Sequence, residues 1–570
     1  MAARTGSVRD SDRYGGRENR MTTDDLAPED GLHGLVRARL SGHLSRRGFI
    51  SRVTALGVSA SGAAALLAAC QGSTSSSGSS SSPGTATRKP VIRVAYSGAP
   101  NGFDPGKAAV SYSHYVIEFI FSTLVALDKD SQPIPDLASS WDISSDGTQY
   151  TFHLRKGVKF HNGDEMTAAD VKFTIDRLKD PKTGYPYVSY VEPVDHVEVV
   201  DPYTVKMVLS KPSAPFLTGM AHPGQSIVPM KAVQGGAEMN STPIGTGPYK
   251  FVTYTPGTQF TLARHTAYYL PDRPYFDKFE GHIITDGTAR TNALTGGLVD
   301  FSTDVDAKDW STISSSSALK ALSFQSGHFH WIGVNLRRKP FDEKNVRLAI
   351  GYAIDRKAIV DGAYFGQAVP MLGGTVPSWS WAYDADLHPF PAKADVQKAK
   401  QLLSQSSVPN GFTTSYINPA GIGFLTDQVP IIQQNLKAIG VNINIKTLDL
   451  AAYIAAIFTD KNFDMFNINW VSPLADPDDF TYLDYFSTSS FNPYGYASKE
   501  MDAAIDAGRA TTDQAKRKAA YFKAQELQMS DYPEILTVNQ NVLHAYTSKL
   551  HNYTPIHTGF IRPLRDAWIA

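Results

Sequence analysis

Residues 429–470 read VPIIQQNLKAIGVNINIKTLDLAAYIAAIFTDKNFDMFNINW, and the changing period of their apolar side chains decides the fold class. Val429, Ile432, Leu436 and Ile439 fall on one face of a helix. Gly440 then supplies the residue type that most easily ends one. Directly after it, Val441, Ile443 and Ile445 alternate with Asn442, Asn444 and Lys446, the period-two pattern of a half-buried strand. Residues 450–458 return to helical spacing and 463–470 to a strand. Helix and strand in alternation favour a mixed or parallel sheet, so the chain reads as α/β.

The same texture extends in both directions. Val346, Ile350, Ala353 and Ile354 form a helical face, Asp355 is the predicted N-cap of a following short helix, and Gly362 is its predicted end. Residues 499–530 read as helix and 535–546 as strand. Towards the N-terminus, Ile92, Val94 and Tyr96 alternate as a first strand, Gly98 to Pro105 turns the chain, and 112–127 carry helical spacing. Between these lies a β-rich block. Tyr150, Phe152 and Leu154 alternate, and Val197 to Leu209 reads as two strands joined at Asp201-Pro202. No repeat of solenoid period is present.

With 570 residues and 42% hydrophobic side chains, the chain can bury a large core. Its 54 basic and 55 acidic residues cancel, which leaves no basic stripe for tracking nucleic acid. One cysteine, Cys70, excludes an intrachain disulfide and a Cys-based zinc knuckle. The first ninety residues read as an address. Arg46 and Arg47 precede an apolar stretch from Val53 to Ala69, which resembles a twin-arginine export signal. Leu67-Ala68-Ala69-Cys70 resembles the lipobox of bacterial lipoproteins, in which the cysteine is acylated and becomes the mature N-terminus. Residues 71–87 are a Ser/Gly tract, a flexible tether reaching about 20–25 Å from its anchor. Met21 is an alternative start to Met1.

Several ordered segments resemble one family, the extracellular solute-binding proteins of the oligopeptide, dipeptide and nickel importers (family 5). They are Pro135 to Trp141, Ser145-Asp146-Gly147, Tyr150 to His161, Thr167 to Val171, Gly245 to Tyr249, and Asn335 through Arg356. The resemblance covers nearly all of residues 90–570. It implies a periplasmic-binding-protein-like type II fold: two lobes with a hinge and a central cleft, plus an inserted β-rich domain. Lobe I is expected at 90–125, 241–325 and 540–570, the inserted domain at 126–240 and lobe II at 326–539. Residues 1–69 would be the signal and 70–89 the tether. The implied protein is a monomer without a cofactor. It sits on the extracytoplasmic face of the membrane through its lipid anchor and hands a peptide or small-molecule ligand to ABC permease subunits.

The family's ligand region includes a segment Trp-x-x-Asp-x-x-Asp-Pro, whose first aspartate holds a peptide's ammonium. Here it reads Trp470-Val471-Ser472-Pro473-Leu474-Ala475-Asp476-Pro477. Pro473 stands at the ammonium position without a carboxylate, so either another acid substitutes or the ligand lacks a free α-amino group. Trp470 is the leading expected contact, and Asp476 is expected to fix a turn. The resemblance places Tyr112, Ser113 and His114 on the opposite wall. Trp379 and Trp381 are loop aromatics able to stack on a ligand, and Tyr416 and Asn418 follow a strand. His328 and His330 are too few for a metal site without a third ligand. No H-E-x-x-H, G-x-S-x-G, P-loop or G-x-G-x-x-G is present. Peptide is the first ligand class, and an oligosaccharide or metal chelate the alternative. A pair of carboxylates cleaving glycosides and a sensing receptor on the same fold complete the competing readings.

Overall fold

A computed structural model describes residues 89–570 apart from 473 and 475. Arg46, Arg47, Cys70, Met21, the tether up to residue 88 and Pro473 lie outside the described residues. Along the chain, β1 (Lys89–Tyr96) leads to α1 (Ser111–Ile120). The predicted helix over 112–127 is therefore shorter, and β2 (Val125–Leu127) pairs with β3 (Pro133–Pro135). The early stop has a distant cause. The Ile120 carbonyl accepts from Gly247 N at 2.9 Å, and a Cβ on Gly245 would lie 2.2 Å from that oxygen. Only glycine lets the two backbones approach so closely.

Next come β4 (Ala138–Ile143), β5 (Gln149–Leu154), α2 (Ala168–Lys179), β6 (Val194–Asp201) and β7 (Thr204–Leu209). Thr167 and Asp170 close a capping box on α2. The strands form an antiparallel sheet ordered β4-β5-β7-β6. Tyr150, Phe152 and Leu154 point into its own cluster of buried side chains with Val171, Ile175 and Met207.

The chain continues through β8 (Tyr249–Thr255), β9 (Gln259–Arg264), β10 (Phe276–Ile283), α3 (Gly287–Thr295), β11 (Phe301–Ser302) and the long β12 (Leu319–Val334). The rest comprises α4 (Lys344–Ala353), α5 (Arg356–Ala363), β13 (Ala368–Pro370), α6 (Val396–Leu403), β14 (Thr413–Pro419), α7 (Val429–Lys437), β15 (Asn442–Leu448), β16 (Met465–Val471), α8 (Lys499–Arg509), α9 (Gln514–Asp531) and β17 (Glu534–Thr547). These strands make one mixed sheet, β15-β14-β16-β12-β17-β11-β1-β10-β9-β8, with β13 added to β17. β1 runs parallel to β10 and β11, and β14 runs parallel to β15 and β16.

Three local expectations change. Asp355 does cap α5, its side chain accepting from Ala358 N, but Gly362 lies inside the helix. The chain reverses at Phe365 and Gly366, with φ of 51° and 80°. Residues 450–459 hold one α-turn and then a wider π-turn. The helix predicted over 499–530 is two, because Asp513 caps α9 by accepting from Ala515 N and Lys516 N.

The family-like segments are scaffold in physical terms. Arg356 is fully buried and donates to the carbonyls of Leu536 and Gly351 and to the Tyr532 hydroxyl, each at 3.0 Å. Arg347 likewise donates to the carbonyls of Tyr532, Asp531 and Phe341. Asp136 is buried under Arg562 and Arg565 from the C-terminal segment.

Candidate functional site

Long β12 and β17 pair side by side near the middle of the large sheet. Their register holds from Leu319↔Thr547 to Gln325↔Asn541, breaks, meets once at Phe329↔Asn539, shifts again, and runs on from Trp331↔Leu536 to Gly333↔Glu534. Residues 326–328 are the break. Asn539 Nδ2 donates to the carbonyls of Ser326 and His328, at 3.1 and 3.0 Å. Gly327 N donates to the His557 carbonyl, and a Cβ at 327 would lie 2.7 Å from Ser472 Cβ. Trp379 stacks face to face on His557, with centroids 4.3 Å apart and planes 5° off parallel. Its Nε1 donates to the Ser326 carbonyl at 3.3 Å.

On one side of this break, the C-terminal ends of parallel β1 and β11 carry Ser97 and Asp304. Ser97 Oγ donates to Asp304 Oδ2 at 2.6 Å and lies 3.1 Å from the Tyr112 hydroxyl. Gly98 leaves room for the Tyr112 ring, which would lie 2.2 Å from a Cβ there. Burial first, then the Asp304 charge, raises the Tyr112 phenol above its ordinary range. Ser113 is fully buried and bonded to Asn101. His114 is also buried, edge-on to His222 at 4.7 Å, and burial lowers it to about 4.

On the other side, the ends of β14 and β16 carry Asn418 and Trp470. Trp470 is half-buried, 5.3 Å from the Phe491 ring. Its Nε1 and the Asn418 Oδ1 are buried without a partner among the described residues. Tyr416, two residues before Asn418, is completely enclosed in the core with Ile432, Ile443 and Tyr453. Its hydroxyl, too, is buried without a partner among the described residues. The two sides meet at His328, which pairs with Val471 and feels the Asp304 carboxylate. Burial lowers His328 to about 4 and His330 to about 3. Both His330 nitrogens are engaged, 3.0 Å from Gln540 Oε1 and 3.1 Å from the Tyr364 hydroxyl. No group of three or more His, Cys, Asp or Glu suited to a metal ion occurs among the described residues.

Three acids follow Trp470. Asp476 caps the turn at 477–480 and takes two bonds from Arg517, at 2.6 and 3.2 Å. Asp478 pairs with Arg509 at 3.4 Å. Among the described residues, Asp479 accepts only from neutral hydroxyls: Ser472 Oγ at 2.6 Å and Tyr190, from the β-rich block, at 3.3 Å. Burial, and then the nearby Asp478, push its carboxyl up to about 7. A second bond ties the same two regions, from Ala214 N to the Arg509 carbonyl. Beside them a cavity of about 370 Å³ is lined by Tyr150, Leu217, Trp381, Asp476 and Arg517. Trp381 lies half-buried against the Arg517 guanidinium at 5.2 Å. Asp479, Tyr190, His222 and His557 escaped the sequence reading, since each acquires its role from partners far away in the chain.

Residues 132–492 match the family described as bacterial extracellular solute-binding proteins, family 5. The glutathione-binding protein GsiB of Pectobacterium atrosepticum is 30% identical over 482 residues, covering 83% of this chain and 92% of that protein. Among solved structures, the Helicobacter pylori ABC transporter-associated periplasmic binding protein DppA, in complex with peptide STSA, superposes with a TM-score of 0.75 at 27% identity, over 85% of this chain and 98% of that one. AgaA from A. tumefaciens R10, in complex with agropinic acid, has a TM-score of 0.75 at 27% identity, over 84% and 99%. The fold is the type II fold of periplasmic binding proteins. By its matched segments, its length and its architecture, the chain belongs to the bacterial extracellular solute-binding proteins of family 5.

Proposed function

We propose that this solute-binding protein serves an ABC importer, is held to the membrane through Cys70, and captures oligopeptides or peptide-like solutes by closing its cleft. The observation that carries this reading is the meeting of two sets of strand ends at the β12–β17 register break. In open α/β sheets, ligands bind beyond the carboxyl ends of parallel strands. Here Ser97 and Asp304 come from one set, with Tyr112 of α1 bonded to Ser97, and Asn418 and Trp470 come from the other. We take the lobe boundaries at 325/326 and 539/540, because the ladder breaks there, and 126–240 as the inserted domain. The peptide class draws support from a relative named for glutathione and a similar structure holding a peptide. Asp479 takes the part that Pro473 cannot play. It is the acid of this segment with no cationic partner among the described residues, and a ligand ammonium would supply one. Trp470, Trp379 and Tyr112 form the aromatic walls.

Native mass spectrometry on the gently purified protein tests the ligand class. A co-purified peptide mixture supports it, whereas a neutral oligosaccharide or a metal chelate overturns it in favour of the alternative. Metabolic labelling with a tritiated fatty acid tests the anchor, with label on the wild type and none on Cys70→Ser.

A further inference from the structure

Three buried polar atoms at one seam lack a partner among the described residues: His114 Nε2, His222 Nε2 and Gln225 Oε1. All three side chains are about 1% exposed, and a polar group buried without a partner costs about 1–3 kcal/mol. The seam lies between α1, the turn at 223–225 and the segment 185–190. The Tyr187 ring is 4.5 Å from His222 and 5.5 Å from His114. Phe560 closes the far side at 6.1 and 6.4 Å from the two imidazoles. Tyr187 in turn stacks on Tyr190 at 5.8 Å, the residue that reaches Asp479 across the cleft.

The other bonds of these three side chains define what the seam offers. Gly224 N donates to His222 Nδ1 at 3.0 Å. That nitrogen therefore carries the lone pair, and the ring proton sits on Nε2, a donor. His114 bonds the Ala108 backbone through its other nitrogen, which must donate to a carbonyl, so its Nε2 is an acceptor. Gln225 Nε2 donates to the Tyr185 hydroxyl at 3.1 Å, leaving Oε1 as a second acceptor. One donor and two acceptors, without charge, face an aromatic enclosure. A carboxylate has no hydrogen for the acceptors, and an ammonium has no lone pair for the donor. A divalent metal is excluded by the proton on His222 Nε2. An amide or a hydroxyl has both functions.

We propose that this seam is a neutral polar subsite that takes an amide or hydroxyl group of the captured solute. The inference rests on the solute-binding reading above and adds the chemistry of one wall. An ordered water has the same hydrogen-bonding capacity, and crystallography separates the two. The full chain is crystallised alone and with the peptide Ser-Thr-Ser-Ala or a neutral oligosaccharide. Calorimetry compares the same probes on the wild type, Gln225→Met and His114→Phe, with thermal midpoints as the folding control. The expected result is a solute amide or hydroxyl within hydrogen-bond distance of His222 Nε2. Loss of one neutral bond weakens binding about tenfold in Gln225→Met. If the oligosaccharide hydroxyl occupies the seam and the peptide does not bind, the subsite stands and the peptide reading falls. If the peptide binds with only water at the seam, or both folded variants bind with unchanged affinity, the subsite is refuted and the peptide reading stands.

Discussion

Glu118 gives the most direct quantitative test of the structure. It lies on α1 with its carboxyl buried, and its Oε1 accepts from Ile561 N at 2.9 Å. The guanidinium groups of Arg562 and Arg565 are nearby, but Asp136 already holds both. Burial outweighs their attraction and pushes the Glu118 carboxyl up to about 8, against an ordinary value of 4.5. In the unfolded chain the group loses its proton near the ordinary value, whereas in the folded chain it keeps it up to about 8. The folded state therefore binds more protons between these limits, and stability falls as pH rises through the window. The slope approaches about 1.4 kcal/mol per pH unit, so the loss from pH 6 to pH 8 amounts to roughly 2 kcal/mol. Glu118→Gln keeps the volume and the acceptor oxygen but removes the proton. Urea unfolding at pH 6, 7 and 8 reads the difference between wild type and variant, in which all other titrations cancel. The wild type gains on the variant as pH falls, and parallel stability curves would refute the burial of an ionisable carboxyl at this position.

Arg517→Met leaves Asp476 buried without its bidentate partner, and costs about 3–5 kcal/mol in urea unfolding. Gly327→Val forces a side chain against Ser472, where a Cβ alone comes to 2.7 Å. It destabilises by about 1–3 kcal/mol and changes the lobe spacing seen by small-angle scattering, while an unchanged scattering curve would remove Gly327 from the hinge. Asp479→Asn keeps an oxygen for Ser472 but loses the charge. Calorimetry should show binding of a free tetrapeptide falling at least about tenfold, while its N-acetylated form is unaffected.

Much of the fold is legible in the sequence because its signals are local. The apolar period of residues 429–445 marks α7 and the start of β15, and Asp355 marks the cap of α5. One misreading occurs where a distant backbone decides. The apolar spacing of α1 continues past Ile120, yet the Ile120 carbonyl is claimed by Gly247. Tyr416 and Asn418 share one strand face and one period. The first is sealed in the core and the second sits at the strand end, and the side-chain oxygen of each is buried without a partner among the described residues.

The proposed hinge shows how a feature of the fold can be visible and still go unread. Gly327 interrupts β12 between Ser326 and His328, and glycine inside a strand signals a bulge or a close backbone approach. Both occur here, since the ladder loses register across these residues and Ser472 packs against the glycine. What the pattern of β12 alone cannot contain is the other half of the joint. Asn539 holds the bulge through two carbonyls, and His557 clasps it while stacking on Trp379. At the break the ladder hydrogen bonds give way to side-chain bonds from Asn539 and His557 and to backbone bonds of Gly327 with His557 and Ser472. Asparagine and histidine, far along the chain, provide that replacement. The same logic governs the walls. Tyr190 and Asp479 carry no mark of their own in the sequence, and their meaning arises only when the fold brings a phenol to an acid that has no cationic partner among the described residues.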